Sequence, residues 1–234
     1  MPSNNKFIGL IPARKGSKGL INKNMLDLSC KPLVQHTIEA ASEASRIDDV
    51  WVSSDDSLIL NLAKSLHVNQ LQRPAEYASD NSSAVDVVNH YISEISTKTY
   101  SCDDFIVYLQ PTSPLRNSTH IDSAIQMLID SKMNSLVSVT LLRKSPFKSF
   151  VINKSGELES LFDEKLSNSR RQDLKKAYIP NGAIYIFKIN EFIKRGGFPS
   201  NASMPFIMSD DDSIDIDEIE DLNKAQNILR KKNA

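Results

Sequence analysis

Apolar positions along the chain follow two alternating rhythms. Phe7–Ile11 is a solid apolar run of strand length, and it stops at Pro12, which cannot donate to a central ladder, so a loop begins there. Leu33, Val34, Thr37, Ile38 and Ala41 then recur at helical spacing, with Pro32 suited to a first turn. Asp49–Ser53 reads as a strand. Leu58, Ile59, Leu62, Ala63 and Leu66 make the apolar face of a second helix, with Asp55 or Asp56 available as its cap. Strand, helix, strand, helix is the rhythm of a parallel sheet.

The rhythm continues with a short strand at Val68–Leu71 and the polar loop QRPAEYASDNSS. A helix follows with Ser82 or Ser83 at its start and Val88, Tyr91, Ile92 and Ile95 inward. Phe105–Leu109 is apolar throughout, as a central strand covered on both faces should be, and it ends at QPTSPLR. Open α/β sheets place ligands beyond such strand ends. Ile121, Ile125, Leu128 and Ile129 mark another helix, and Leu136–Leu142 another strand. From Arg143 to Tyr178 the period is lost, and we expect an excursion from the sheet that meets a partner subunit. Ala183–Phe187 resumes as a strand after Pro180, Asn181 and Gly182, and Ile219, Leu222, Ala225 and Leu229 close the chain as a helix. The expected fold is one α/β domain over residues 1–234, an open, mostly parallel twisted sheet with helices on both faces, carrying an irregular arm at 143–178.

Composition narrows the function. The 234 residues carry 28 basic and 29 acidic side chains, so a general nucleic-acid binder is disfavoured. No apolar run approaches the roughly 20 residues of a membrane span, and MPSNNK lacks a signal-peptide core, so a soluble, cytoplasmic protein is expected. Cys30 and Cys102 lack metal spacing and read as reduced thiols. His36, His67, His90 and His120 form no ligand motif.

Cations are concentrated locally instead. After the first strand come Gly16 and Gly19 among Arg14, Lys15, Lys18, Lys23 and Asn24; glycine admits close backbone approach and the cations suit a polyphosphate. The loop matches neither the Walker nor the dinucleotide pattern, and by composition alone it is an anion cradle or a solvated basic loop. In DSIDID an extended chain puts Asp215 and Asp217 on one face. Two such carboxylates are hard ligands for Mg²⁺ shared with a substrate phosphate, or the acidic cap of the helix that follows. A polycationic loop with a paired carboxylate fits metal-assisted nucleotidyl transfer better than hydride transfer, and no His, Cys or Ser dyad points to a covalent intermediate.

The ordered set IPARKGSKGLINKN, LQRPAEYASD, LQPTSPLR, RRQD, NGAIYI and SIDID closely resembles the CMP-sialic acid synthetases, or N-acylneuraminate cytidylyltransferases, over nearly the whole chain. The resemblance implies a Rossmann-like nucleotidyltransferase in which a nonulosonic acid's anomeric hydroxyl attacks the α-phosphorus of CTP, with Mg²⁺, releasing pyrophosphate. It implies that Arg14, Lys18, Lys23 and Asn24 hold the triphosphate and nucleoside, and that Arg73, Ser82 and Ser83 recognise cytidine. It further implies that Gln110, Lys148, Arg171 and Tyr185 line the sugar pocket, with Arg171 chosen over Arg170 by alignment with RQ, and that Asp215 and Asp217 hold Mg²⁺, one of them also accepting the hydroxyl proton. Lys18, Arg171 and Asp217 are the expected catalytic groups. The arm is implied to cross to the other subunit of a homodimer. The sequence departs from the family at Ala84, where serine is frequent, and at Cys30, where a turn glycine is common. The alternatives are the same reaction on legionaminic or pseudaminic acid, and a non-catalytic nucleotide-binding protein.

Overall fold

A computed structural model describes residues 5–16, 19–78, 82–96 and 99–232. Among these, one seven-stranded sheet organises the chain: β1 (Phe7–Pro12), β4 (Asp49–Ser54), β5 (Asn69–Gln72), β6 (Phe105–Tyr108), β7 (Ser135–Leu141), β10 (Tyr178–Lys188) and β11 (Met204–Ile207), in the order β11-β7-β10-β6-β1-β4-β5. β1 pairs in parallel with β4 and β6, as do β4 with β5 and β7 with β11; β10 runs antiparallel to both of its neighbours. The mostly parallel expectation therefore stands, with one reversed strand that no periodicity marks.

Alternation along the central strands supplies both faces of the core. From β1, Phe7 and Ile11 join Val107 of β6 beneath α1 (Leu33–Ser42), α2 (Ser57–Ser65) and α4 (Ser118–Ser131). Ile8 and Leu10 join Ile106 and Tyr108 beneath α3 (Ala84–Tyr91) and α6 (Ile189–Arg195). A third cluster of Leu28, Leu33, Leu115, Ile216, Leu222 and Ala225 seats α7 (Ile219–Lys232) near the loop ends of the sheet. Asp56 caps α2 by accepting from the Leu58 amide, Ser83 caps α3 in a capping box with Asp86, and Asn117 caps α4.

Several expectations need correcting. Pro32 stands before α1, in the two-residue strand β3 (Lys31–Pro32) that pairs with β2 (Asp27–Leu28). Leu58 and Ile129 were expected inward, yet they are 62% and 46% exposed, because the buried faces turn on Ile59, Leu60 and Ala63 and on Ile121, Ala124, Ile125 and Leu128. β10 begins at Tyr178, five residues before its expected start, and absorbs Asn181 and Gly182 in a bulge. The 143–178 excursion is ordered: a hairpin of β8 (Phe150–Ile152) and β9 (Leu158–Ser160), then the short α5 (Glu164–Asn168). Its ends meet, since the Leu142 amide donates to the Ala177 carbonyl at 2.9 Å. The β2–β3 turn holds Ser29 and Cys30 at φ 54° and 65°, a left-handed pair that favours glycine and that Cys30 adopts regardless. No helix among the described residues is long and apolar enough to cross a membrane.

Candidate active site

A cleft of about 490 Å³ opens at the loop ends of β1, β5 and β6. Arg14, Gly16, Gly19, Lys23 and Asn24 form one wall, Arg73, Ser82, Ser83 and Ala84 another, and Gln110, Pro111, Thr112, Asp215 and Asp217 the third. The sequence brings the first wall together through Asn24, whose buried amide donates to the Arg14 carbonyl at 2.9 Å and ties the basic loop to the 3₁₀ turn Lys23–Met25. The Lys15 amide donates to Asp55 Oδ1 at 2.8 Å, anchoring the loop's other side.

The basic loop and the acidic segment meet directly. Lys23 Nζ donates to the Ile216 carbonyl at 2.8 Å and pairs with Asp217 Oδ1 at 3.0 Å. A side chain at Gly19 would place its Cβ 2.7 Å from the Asp217 carbonyl oxygen, so glycine is needed for this approach. Ile216, fully buried, anchors the segment, and its amide donates to the Thr112 carbonyl at 2.8 Å. Asp215 and Asp217 flank that anchor. The helix-cap alternative is met by a different residue: Asp221 accepts from the Asp217 and Glu218 amides at 3.3 and 3.2 Å, serving the α7 start. Burial against the cleft wall, with Asp217 adding to it, pushes the Asp215 carboxyl above the usual aspartate value, against a lowering hydrogen bond from Thr112 and the Lys23 charge.

A divalent cation fits this donor set. Two carboxylates aimed into one cleft, one of them held above its ordinary pKa by burial, are hard-oxygen ligands whose charge a cation would stabilise. No cluster of three or more His, Cys, Asp or Glu that could hold a metal occurs among the described residues. A cation held here would therefore need its further ligands from outside these side chains.

The wall expected to meet the nucleoside is more structural than its sequence implies. Arg73, 4% exposed, donates through Nη2 to the Ser53 carbonyl at 2.7 Å and through Nε to Ser53 Oγ at 3.2 Å; burial lowers its pKa. The Ser83 hydroxyl is engaged with Asp86 as a helix cap, and the Ser82 hydroxyl donates to the Glu76 carbonyl at 3.1 Å. Tyr185 lies half-buried below the cleft, edge-on to Tyr108 at 6.4 Å between ring centres. Lys18 falls outside the described residues.

Lys148 and Arg171 are not brought to the cleft within this chain. Lys148 ends a turn at the base of the arm, and Arg171 lines a separate cavity of about 160 Å³ with Leu141, Arg143 and Leu174. Arg170, the alternative to Arg171, is paired with Asp173 at 2.9 Å.

Sequence reasoning missed Tyr108 and Thr112 in the lining, although both flank the quoted Gln110. It also missed two buried polar residues behind the wall. Arg116, fully enclosed, donates to the Ala183 carbonyl, to Thr37 Oγ1 and to the Gln110 carbonyl at 3.1, 2.8 and 3.2 Å, and burial lowers its pKa to about 9. Asn181 bridges β7, β10 and the acidic segment. The available signal was their place within quoted motifs at strand ends, Arg116 closing LQPTSPLR and Asn181 opening NGAIYI.

The chain matches the family model described as "Cytidylyltransferase" over residues 8–233. It is 37% identical over 231 residues to the N-acylneuraminate cytidylyltransferase of Escherichia coli O18:K1:H7, covering 97% of this chain and 53% of that protein. To the N-acylneuraminate cytidylyltransferase of Streptococcus agalactiae serotype V it is 33% identical over 219 residues, covering 92% and 51%. The chain thus spans about half the length of these two relatives. Identity to the pseudaminic acid cytidylyltransferase of Campylobacter jejuni serotype O:2 is 32% over 229 residues, covering 97% of both. Among solved structures, a CMP:2-keto-3-deoxy-manno-octonic acid synthetase complexed with CTP superposes with a TM-score of 0.70 at 18% identity, over 97% of this chain and 100% of that one. A 4-diphosphocytidyl-2C-methyl-D-erythritol synthase gives 0.69 at 12%, over 97% and 99%. These two share the fold. With the family match running almost end to end over a sheet and cleft of this kind, the chain belongs to the cytidylyltransferase family that includes the CMP-sialic acid synthetases.

Proposed function

We propose that this protein transfers CMP from CTP to the anomeric oxygen of a sialic-type nonulosonic acid, N-acetylneuraminate first, and releases pyrophosphate. The observation that carries the reading is the junction of a glycine-and-cation loop with two carboxylates in one cleft, through Gly19 and Lys23 against Asp217. Arg14, Lys18 and Lys23 hold the triphosphate, with Asn24 fixing the loop that presents them. Arg73 and the Ser82–Ala84 corner frame the cytidine. Asp215 and Asp217 would hold Mg²⁺, which supplies charge neutralisation on the phosphates and a leaving group ready to depart as pyrophosphate. The attacking hydroxyl's proton passes to one of these carboxylates, and the raised pKa of Asp215 suits it to receive a proton. The pseudaminic acid relative, matched over 97% of its length, supports the second reading, the same transfer on pseudaminic acid, with legionaminic acid its companion alternative.

The sugar side needs a second copy. Lys148 and Arg171, the cations suited to a sugar carboxylate, sit on an arm whose Phe150, Ile152, Leu158 and Phe162 are 49%, 75%, 72% and 55% exposed. Apolar exposure on that scale, on a hairpin held away from the core, is the surface of an interface. We therefore take the working form to be a homodimer in the cytoplasm, each arm reaching the other's cleft with Arg171 gripping the acid in a fork.

Pyrophosphate release with CTP, Mg²⁺ and a panel of nonulosonic acids tests this. Turnover with at least one acid is expected, with N-acetylneuraminate fastest, and Asp217→Asn is expected to keep the fold while cutting kcat by about 10²-fold or more. A wild-type protein that binds CTP and turns over no acid would leave only the non-catalytic reading.

A further inference from the structure

Asn181 stands in the middle of β10, 5% exposed, where an asparagine in a central strand has no packing advantage. Its side chain is fully committed. Oδ1 accepts from Ser138 Oγ at 2.6 Å and from the Ala183 amide at 3.2 Å; Nδ2 donates to Ser213 Oγ at 2.9 Å and contacts Met208 Sδ at 3.3 Å. Its carbonyl accepts from Ser113 Oγ at 3.3 Å. Ser138 in turn accepts from the Ile184 amide at 2.7 Å, so the bulge is locked to β7.

The two outward branches of this network end on either side of one carboxylate. Ser213 lies two residues before Asp215, and its hydroxyl donates to the Ser209 carbonyl at 2.6 Å, closing the turn from which Asp215 emerges. Ser113 follows Thr112, whose carbonyl holds the Ile216 amide and whose side chain hydrogen-bonds Asp215. Next to Asn181, a Cβ on Gly182 would lie 2.7 Å from Gln110 Oε1 and 3.7 Å from Asp215 Oδ2, so the bulge itself abuts both groups. The Asn181, Ser138 and Ser113 part of this network is buried, so a shift there leaves a donor or acceptor unpaired in low dielectric, and its geometry is passed on to the half-buried turn at Ser213.

We propose that Asn181 is a positioning residue for the Asp215 and Asp217 pair, acting through Ser213 to set where the two carboxylates stand. The proposal rests on the metal reading of those aspartates. Outer partners of metal ligands typically change affinity or activity by about 10–100-fold when removed. Asn181→Ala is accordingly expected to raise the Mg²⁺ concentration for half-maximal rate by about tenfold and to lower kcat by about 10–100-fold, with KM for CTP within about threefold of wild type. Ser213→Ala should move the Mg²⁺ requirement in the same direction by about 3–10-fold, and the double variant should be no worse than Asn181→Ala alone.

Mn²⁺ binding in the presence of CTP, followed by electron paramagnetic resonance, gives a readout besides turnover and is expected to weaken in step. A purely structural asparagine would lower Tm and leave the metal requirement unmoved, and that result overturns the proposal. So does a Ser213→Ala protein indistinguishable from wild type, or single effects that multiply in the double variant. Ser213 sits in a half-buried turn, so its substitution carries the test even if Asn181→Ala does not fold. Asp215→Asn is the control that separates the layers. Normal activity and Mn²⁺ binding in that control would sink the metal reading itself; an impaired control beside a normal Ser213→Ala sinks only the positioning role.

Discussion

The setting of Asp215 costs the fold stability at neutral pH, a cost that the proposed function gives a use. Its carboxyl is held above the usual aspartate pKa by burial first and by Asp217 second, so the folded protein favours the protonated form more than the unfolded chain does. The sign follows. Below the unfolded pKa the group is protonated in both states and costs nothing; as pH rises through the folded value, stability is lost and stays lost at neutrality. Asp215→Asn, which cannot ionise, should therefore raise Tm at pH 7, and the gain should shrink as pH falls through the carboxylate range. Thermal melts of the two proteins from pH 7 to pH 4 would check this, and a variant that melts lower at pH 7 contradicts the shift. Such residues were half legible in the sequence. Asp215, Asp217, Gly19 and Lys23 announce themselves by type and spacing, whereas Arg116 and Asn181 look like ordinary loop polars until the fold encloses them.

At the scale of elements, β10 carries the most consequence. Its apolar run was readable as a strand from Ala183 to Phe187, but its first residues, its bulge and its reversed direction were not. Tyr178–Gly182 contains a proline and a glycine, which read as turn, and strand direction leaves no mark on alternation. β11 and α6 were missed for related reasons: MPFI is four residues with an edge-strand proline, and α6 has only seven residues. The bulge also makes a prediction. Gly182 stands at φ 77° with Gln110 in the way of any side chain, so Gly182→Ala meets backbone strain and a clash together. A loss of about 1–3 kcal/mol by denaturant unfolding is expected. Activity should drop beyond what the lost stability explains, because Gln110, at 2.7 Å from the added Cβ, must shift and Ser113, at 3.2 Å, must give way beside the cleft. An alanine protein of wild-type stability would show that the bulge relaxes freely.

On the proposed function, the whole molecule divides into a nucleotide half built by the sheet and a sugar half that this chain supplies only in part. The βαβ order was legible because helix and strand periods are strong over long segments; the arm was legible only as a loss of pattern, since a three-residue hairpin strand and a five-residue helix are too short to show a period. The division can be measured. Phe150→Asp with Ile152→Asp should convert a particle of twice the 26.2 kDa chain mass into one of single mass on light scattering, since both side chains are apolar and exposed on the hairpin. The separated chains should still bind CTP within about threefold of wild type and lose sugar-acid turnover by about 10²-fold. Dispersed chains that keep full turnover would place the acid's cations elsewhere.

The seam at which the arm leaves the sheet has its own consequence. Leu141 pairs with Tyr178 and Leu142 with Ala177, so thirty-odd residues depart and return through neighbouring rungs of one ladder. Because the closure is made by the ladder, lengthening or shortening what lies beyond it adds only a slowly growing entropic term to folding. On the proposed function, drift in the arm would therefore retune acid preference while leaving the cleft walls of the sheet unchanged.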